Sequence, residues 1–454
     1  MNGKHLVVGF ILSFFTAGCS CGGTRLMDVD AGVGGGIGGG ALGGGVGGGA
    51  TGGGGGGASG GGGGAVDAGV DSGVPDAGQD AGLPLPDAGI ADAGCFFVTV
   101  SANAERRVVV SHPFPDDGGF RDNLWEVFTL SPTGTLNATG PFFRMGRSTD
   151  PASPIVFTSD GRIGLVAQDD GTIGVFRFDE QNVTIVHAGY RGDFYARKLL
   201  MQPSGNRLWV LDFNTLNNGG GVYTIDIACD GTLSNEQYVM PGNNASAAVY
   251  LPAAQQLLVA ARSLPTTPMM QDLHVVDVSQ PVPTVRTSTT GFPDRNAIAP
   301  TISVSRDQRF VALPDTGFAA GNRIAFFERA GNVLTTKQVV STNNPVSVTF
   351  SPFADLGLVV NTDGSDHFRK LTWDTTGTVF TVSPPIPYTF GRPQLPTAPV
   401  MIERGPLTGR MLVAELDAIR QLQFETDGGL TDVSSTPAGG TGNAQILGTI
   451  GVVP

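Results

Sequence analysis

Side chains able to do acid–base, metal or nucleophilic chemistry are few in this chain and stand far apart. Of the five His, His5 lies in an apolar leader, and His112, His187, His274 and His367 are scattered singly, with no pair at the spacing a zinc site needs. His112 and His367 fall in stretches that read as loops. There an exposed imidazole can act as a base near neutral pH, and the plainer alternative is a solvated surface His. Asp169-Asp170-Gly171 and Asp363-Gly364-Ser365-Asp366 bring carboxylates close together, as a calcium loop does, although the same residues also make ordinary turns. Asp, Asn and Arg gather in another set of loops as Arg191, Asp193, Asn243, Asn244, Asp294, Arg295, Asn296, Asn343, Asn344 and Arg392. Such a mixture offers donors and acceptors together, which suits a sugar or an organic acid. Its rival is architectural, because Asp, Asn and Gly end strands everywhere.

Several function classes drop out. Gly57-Ala58-Ser59-Gly60-Gly61 matches a nucleophile pattern, and the glycine run around it matches dinucleotide fingerprints, but no strand precedes either and no helix follows. Both matches are artefacts of composition. The net charge is −13, and no basic cluster exceeds Arg106-Arg107, so the chain lacks the basic face that phosphate backbones require. Nucleic acid is excluded as a partner, and no cofactor or metal is expected.

The elements that must carry these residues differ along the chain. Lys4, the apolar run Leu6–Phe15 and the tetrapeptide Thr16-Ala17-Gly18-Cys19 open it. Ten apolar residues reach about 15 Å as a helix, half of a bilayer core, so residues 1–18 read as a cleaved signal peptide. The segment resembles the lipobox of bacterial lipoproteins, with Thr16 where that family usually has Leu. The resemblance implies export, cleavage and lipidation at Cys19. Ser20, in place of Asp, is similar to the position in lipoproteins sent to the outer membrane. Acyl chains on one Cys hold a protein at a membrane without a spanning helix.

Residues 19–94 hold 32 of the 69 Gly and no aromatic residue, with Asp-Ala-Gly units such as Asp76-Ala77-Gly78 toward the end. Such a segment buries too little apolar surface to offset its chain entropy, so a disordered tether is expected. Its eight Asp against one Arg repel one another, and about 75 flexible residues reach roughly 45–50 Å.

From Cys95 to Pro454 the sequence repeats itself. The most apolar stretch of each unit starts at Val108, Ile163, Leu208, Leu257, Phe310, Leu358 and Met411, roughly fifty residues apart. Before each lies a turn such as Ser159-Asp160-Gly161-Arg162 or Ser305-Arg306-Asp307-Gln308-Arg309. An alternating strand follows: Trp125–Leu130, Ile173–Phe178, Val222–Ile227, Leu273–Val278, Ile324–Glu328, Phe368–Trp373 and Ile419–Phe424. Short strands such as Ile302-Ser303-Val304 and Val333–Val340 complete each unit. Four antiparallel strands at this interval make a propeller blade, and seven units predict an all-β, seven-bladed β-propeller over 95–454. With its Val-Tyr-Thr-Ile-Asp-Ile at 222–227, the repeat resembles the lactonase-like, YVTN-type seven-bladed propellers. That resemblance implies the fold and matches no catalytic residue of the family. Either 97–101 or 444–453 supplies the innermost strand that closes the ring. Export makes a Cys95–Cys229 disulfide chemically feasible, although the two fall in non-adjacent blades.

The sequence therefore predicts an exported, lipid-anchored propeller of the cell envelope that binds a protein or saccharide without catalysis. The expected binding face comprises Arg191, Asp193, Asp294, Arg295, Asn296, Asn343, Asn344, Arg392, His112 and His367. A lactonase-like or carbohydrate-directed hydrolase working at the channel mouth is the alternative, and a stacking envelope scaffold is a third.

Overall fold

The computed structural model describes residues 99–112, 122–138, 140–148, 153–179, 182–213, 220–241, 243–263, 271–280, 282–292, 298–316, 322–362, 367–439 and 447–454. All of them lie in the second of two compact units, Asp92–Pro454. Their regular structure is entirely β, in seven antiparallel sheets. Blade 1 runs outward from Ile450–Val452 through Arg106–His112 and Asp122–Leu130 to a split edge, Leu136–Asn137 and Phe142–Gly146. Blade 2 is Val156–Phe157, Ile163–Ala167, Ile173–Asp179 and Asn182–Tyr190, and blade 3 is Ala196–Met201, Arg207–Asp212, Gly221–Ile227 and Leu233–Pro241. Blade 4 is Asn243–Leu251, Gln256–Ser263, Gln271–Asp277 and Thr284–Phe292. Blade 5 is Ser303–Val304, Phe310–Asp315, Arg323–Ala330 and Val333–Ser341. Blade 6 is Pro345–Phe350, Leu356–Asn361, Phe368–Trp373 and Phe380–Pro385, and blade 7 is Val400–Met401, Arg410–Ala414, Ala418–Phe424 and Leu430–Pro437.

Each repeat start read from the sequence falls on the second strand of a blade, and burial gives the reason. Ile163–Ala167 and Phe310–Asp315 are buried at every position, because a propeller sheet packs on both faces. The outermost strand Asn182–Tyr190 has no fully buried residue. A continuous apolar run marks the first situation, and loss of the run marks the second.

Seven apolar clusters fill the seams between blades. Trp125 and Val127 of blade 1 pack on Phe157 and Phe176 of blade 2, and Leu165 of blade 2 packs with Leu199 and Val210 of blade 3. Trp209 meets Val259 across the next seam, and Val275 meets Phe327. Phe310 lies with Val359, and Phe368 with Val413. The last seam joins Leu412 and Ile419 of blade 7 to Val110 and Phe128 of blade 1, which closes the circle. Each fully buried Leu, Val or Phe contributes about 1.5–3 kcal/mol, so no blade is stable without its neighbours.

Ring closure falls to the chain's last strand. Ile450–Val452 pairs with Val108–Val110, while residues 99–101 form no strand and Val100 N–H donates to the Ser159 carbonyl at 3.2 Å. The Arg106 guanidinium fastens the junction by donating to the carbonyls of Val453 at 3.1 Å and Arg404 at 3.0 Å.

Turns between first and second strands repeat one device. Thr158 Oγ1 donates to Asp160 Oδ1 at 2.6 Å, and Asp160 Oδ1 accepts from Arg162 N–H at 3.0 Å. In blade 5, Ser305 Oγ donates to Asp307 Oδ1 at 2.5 Å, and Arg309 N–H donates to the same oxygen at 3.1 Å. The side chains thus satisfy backbone groups that the reversal leaves over.

Candidate functional site

Second strands end, third strands begin and blades connect on one face of the ring. That face carries buried polar side chains at nearly every blade tip: His112, Gln168, Asp212, Asp315, Asn361 and Glu415. Most hold backbone. Asp212 Oδ1 accepts from Tyr195 N–H at 2.9 Å, and Asp315 Oδ1 accepts from Ile298 N–H at 3.0 Å. Gln168 Nε2 donates to the Ala188 carbonyl at 2.8 Å, and Asn361 Oδ1 accepts from Thr342 Oγ1 at 3.2 Å. Within the ring, buried Lys198 on the innermost strand of blade 3 donates to the Pro300 carbonyl at the approach to blade 5.

Between blades 6 and 7 the buried groups are charged. Arg420 donates through Nε to Glu415 Oε1 at 2.5 Å and through Nη1 to Asp432 Oδ2 at 2.8 Å, and its Nη2 reaches the Gly391 carbonyl at 3.1 Å. Asp432 Oδ2 also accepts from Thr389 N–H at 2.8 Å. Burial raises the Glu415 carboxyl, and the hydrogen bond from Arg420 offsets only part of that rise. Three converging charges so enclosed lock loop to sheet.

Blades 2 and 3 differ. Their shared rim collects Tyr190 at the end of the last strand of blade 2 and Arg191 after it, Asp193 and Tyr195 before the first strand of blade 3, and Glu236 and Tyr238 on its outer strand. Glu236 Oε1 accepts from Asp193 N–H at 2.9 Å, and Arg191 Nη2 lies 3.9 Å from Asp170 Oδ2. An aromatic column rises from the core: Phe194 and Tyr223 have ring centroids 5.4 Å apart, and Tyr223 and Tyr238 4.8 Å. Tyr238 ends it at 42% exposure, and Tyr195, just before the first strand of the blade, is 38% exposed. Both phenols are anchored, Tyr238 OH on the Gly220 carbonyl at 3.0 Å and Tyr195 OH on the Asp169 carbonyl. Gly171 makes room for the second ring: its φ is +81°, and a Cβ there would stand 2.4 Å from Tyr195 Cδ2. Desolvation pushes the Glu236 carboxyl up, and it raises the Tyr190 phenol, which Glu236 and Asp193 raise further.

The residues singled out in the sequence meet different fates. Arg191 and Asp193 come together on this rim, and both are exposed. Asn343 and Asn344 sit at the blade 5–6 junction, where Asn344 N–H donates to Asn322 Oδ1 at 2.6 Å and its Nδ2 to Thr362 Oγ1 at 2.8 Å. Arg392 is an exposed residue of the blade 6–7 connection. Cys19, Asp294, Arg295, Asn296 and residues 363–366 lie outside the described residues.

His112 and His367 are not in exposed loops, contrary to the expectation. His112 is the last residue of a strand, fully buried, with Nε2 3.0 Å from Glu126 Oε2. The strand outruns its apolar core because Ser111 Oγ accepts from Thr449 N–H at 2.9 Å and Glu126 Oε1 accepts from Gly439 N–H at 3.0 Å. His367 is buried, its Nδ1 3.0 Å from the Asn361 carbonyl. Asp170 serves its own turn, accepting from Thr172 N–H at 3.0 Å, and among the described residues no His, Cys, Asp or Glu cluster could hold a metal. Cys229 is disulfide-bonded, with its partner outside the described residues. Tyr195, Tyr238 and Glu236 are not among the residues that the sequence singles out, although four of the six Tyr fall between 190 and 238.

No family model and no curated protein matches the sequence. Solved structures do match in fold. A periplasmic gluconolactonase from Pseudomonas aeruginosa aligns with a TM-score of 0.54 at 14% identity, over 77% of this chain and 99% of its own. A candidate 6-phosphogluconolactonase from Bacteroides uniformis aligns at 0.53 and 13%, over 77% and 99%. A Lactobacillus plantarum protein aligns at 0.55 and 14%, over 77% and 99%. At such identity the likeness is one of fold alone, a seven-bladed β-propeller.

Proposed function

We propose that this chain is an exported, lipid-anchored binding protein whose propeller, carried on a glycine-rich tether from Cys19, recognises its ligand at the rim of blades 2 and 3. One observation carries the reading: this rim holds two exposed rings, Tyr195 and Tyr238, with their hydroxyls fixed on backbone carbonyls, near the exposed charges of Arg191 and Asp193. The disulfide at Cys229 suits an oxidising compartment and so supports export. The leader supports lipidation.

A lactonase-like hydrolase is the second reading, favoured by the names of the fold neighbours and by the His112–Glu126 pair. That pair is enclosed, at 0% and 2% exposure, so a lactone in the channel has no route to it. Two measurements separate the readings. Cys19→Ala should abolish incorporation of labelled fatty acid and release soluble protein; unchanged incorporation would refute the anchor. Purified protein should leave glucono-δ-lactone hydrolysis at its spontaneous rate, and an acceleration lost in Glu126→Gln with folding intact would establish the hydrolase.

A further inference from the structure

We propose that the face opposite the rim carries a second binding site, a cavity between blade 7 and the ring-closing strand that takes a small carboxylic acid with an apolar body. The cavity lies where first strands end and second strands begin: beside Val400–Met401, the end of Ile450–Val452 and the start of Arg106–His112. Its volume of about 210 Å³ falls below the roughly 300–1,000 Å³ of sites for drug-sized molecules, so its ligand is small.

The first support is charge. Arg106 and Arg404 both line the cavity. Arg106 is buried and fastened to the carbonyls of Val453 and Arg404, which holds its charge in place, and Arg404 is half-buried. Among the described residues neither guanidinium has an ion-pair partner; Glu403 also lines the cavity, but it is exposed and pairs with neither. Burial lowers the Arg106 guanidinium, and the like charge of Arg404 lowers it further. An anion set against two such cations relieves their repulsion and gains charge-assisted hydrogen bonds.

The second support is the wall. Ile402 and Val453 are buried in it, and Met401, Val452 and Pro454 are half-buried. An inorganic dianion would lose its water against these side chains at high cost, whereas an apolar acid lays carbon on them and keeps its charge for the arginines. A guanidinium also matches the two oxygens of a carboxylate. The third support is position. Val452 to Pro454 belong to the segment that closes the ring, so a ligand here bridges blades 7 and 1 and must raise the stability of the closed propeller.

Isothermal titration of the full chain with benzoate, 3-methylbutanoate and hexanoate tests this, with benzamide, benzylamine and inorganic phosphate as comparisons. At least one carboxylate should bind and raise the melting temperature with its concentration, and the amide and the amine should do neither. Arg404→Gln should weaken that binding about tenfold or more, and Arg404→Lys should restore part of it. Arg306→Gln, at an exposed arginine on the same face of blade 5, should change nothing. Arg404 is the residue to vary because Arg106 also fastens ring closure, and melting curves show that each variant is folded. If no carboxylate binds, or if phosphate or benzylamine binds in their place, the ligand class is wrong. If a carboxylate binds Arg404→Gln as tightly as the parent, the cavity is not its site. None of these outcomes touches the rim of blades 2 and 3.

Discussion

Two stretches of the same ring use polar residues in opposite ways. At the seam of blades 6 and 7, Arg420, Glu415 and Asp432 are almost wholly buried, with Arg420 paired to both carboxylates. At the rim of blades 2 and 3, Arg191 and Asp170 stand 70% and 55% exposed with 3.9 Å between their charged atoms. A buried charge network leaves nothing for a partner and is costly to break. An exposed, loosely paired set contributes little to stability and remains available. Residue type alone does not separate the two; burial does.

The contrast makes Arg420→Ala the most damaging single change. It leaves two carboxylates buried without a cation, and denaturant unfolding should show a loss of about 3–5 kcal/mol. Were the loss under about 1 kcal/mol, the seam would not be the architectural element described. Next comes Gly171→Ala, which forces a positive φ on a side chain and drives Cβ into Tyr195. It should cost about 1–3 kcal/mol and, by displacing the ring, weaken the rim's binding as well. Arg191→Ala should alter stability by less than about 0.5 kcal/mol, within the range of a surface substitution. A larger loss would mean that the rim too is architecture.

How far these roles could be read from the sequence depends on how local their causes are. The second strands were legible because both their faces are buried within a few residues of chain. Ring closure was ambiguous because 97–101 and 444–453 are equally strand-like, and only the pairing of Val108–Val110 with Ile450–Val452 decides between them. His112 was misread as an exposed loop residue. Its burial depends on Glu126, Gly439 and Thr449, the last two more than three hundred residues along the chain. Residue type alone draws attention to Arg191 and Asp193, whereas Tyr238 on its strand and Tyr195 just before one read as core, the usual meaning of an aromatic residue in or beside a strand.

The smallest expected effect lies in acid, on the outer turn of blade 4. Hydrogen bonds from Ser279 and Arg286 hold the Asp277 carboxyl down at about 2, below its ordinary 3.8. A depressed folded value stabilises the protein above the unfolded value and ceases to do so as pH falls through the folded one. Its contribution should therefore be complete above about pH 4 and gone below about pH 2. Asp277→Asn should flatten the stability curve only in that window, and a change confined to neutral pH would contradict the assignment.

The division between a rim for recognition and a seam for architecture is tested most directly by amide hydrogen exchange of the full chain, alone and mixed with envelope preparations from its producing cell. The account predicts added protection in Tyr190–Tyr195 and Tyr223–Tyr238, with Glu415–Asp432 exchanging as before. Protection that appears at 415–432 while the rim of blades 2 and 3 is unchanged would contradict it.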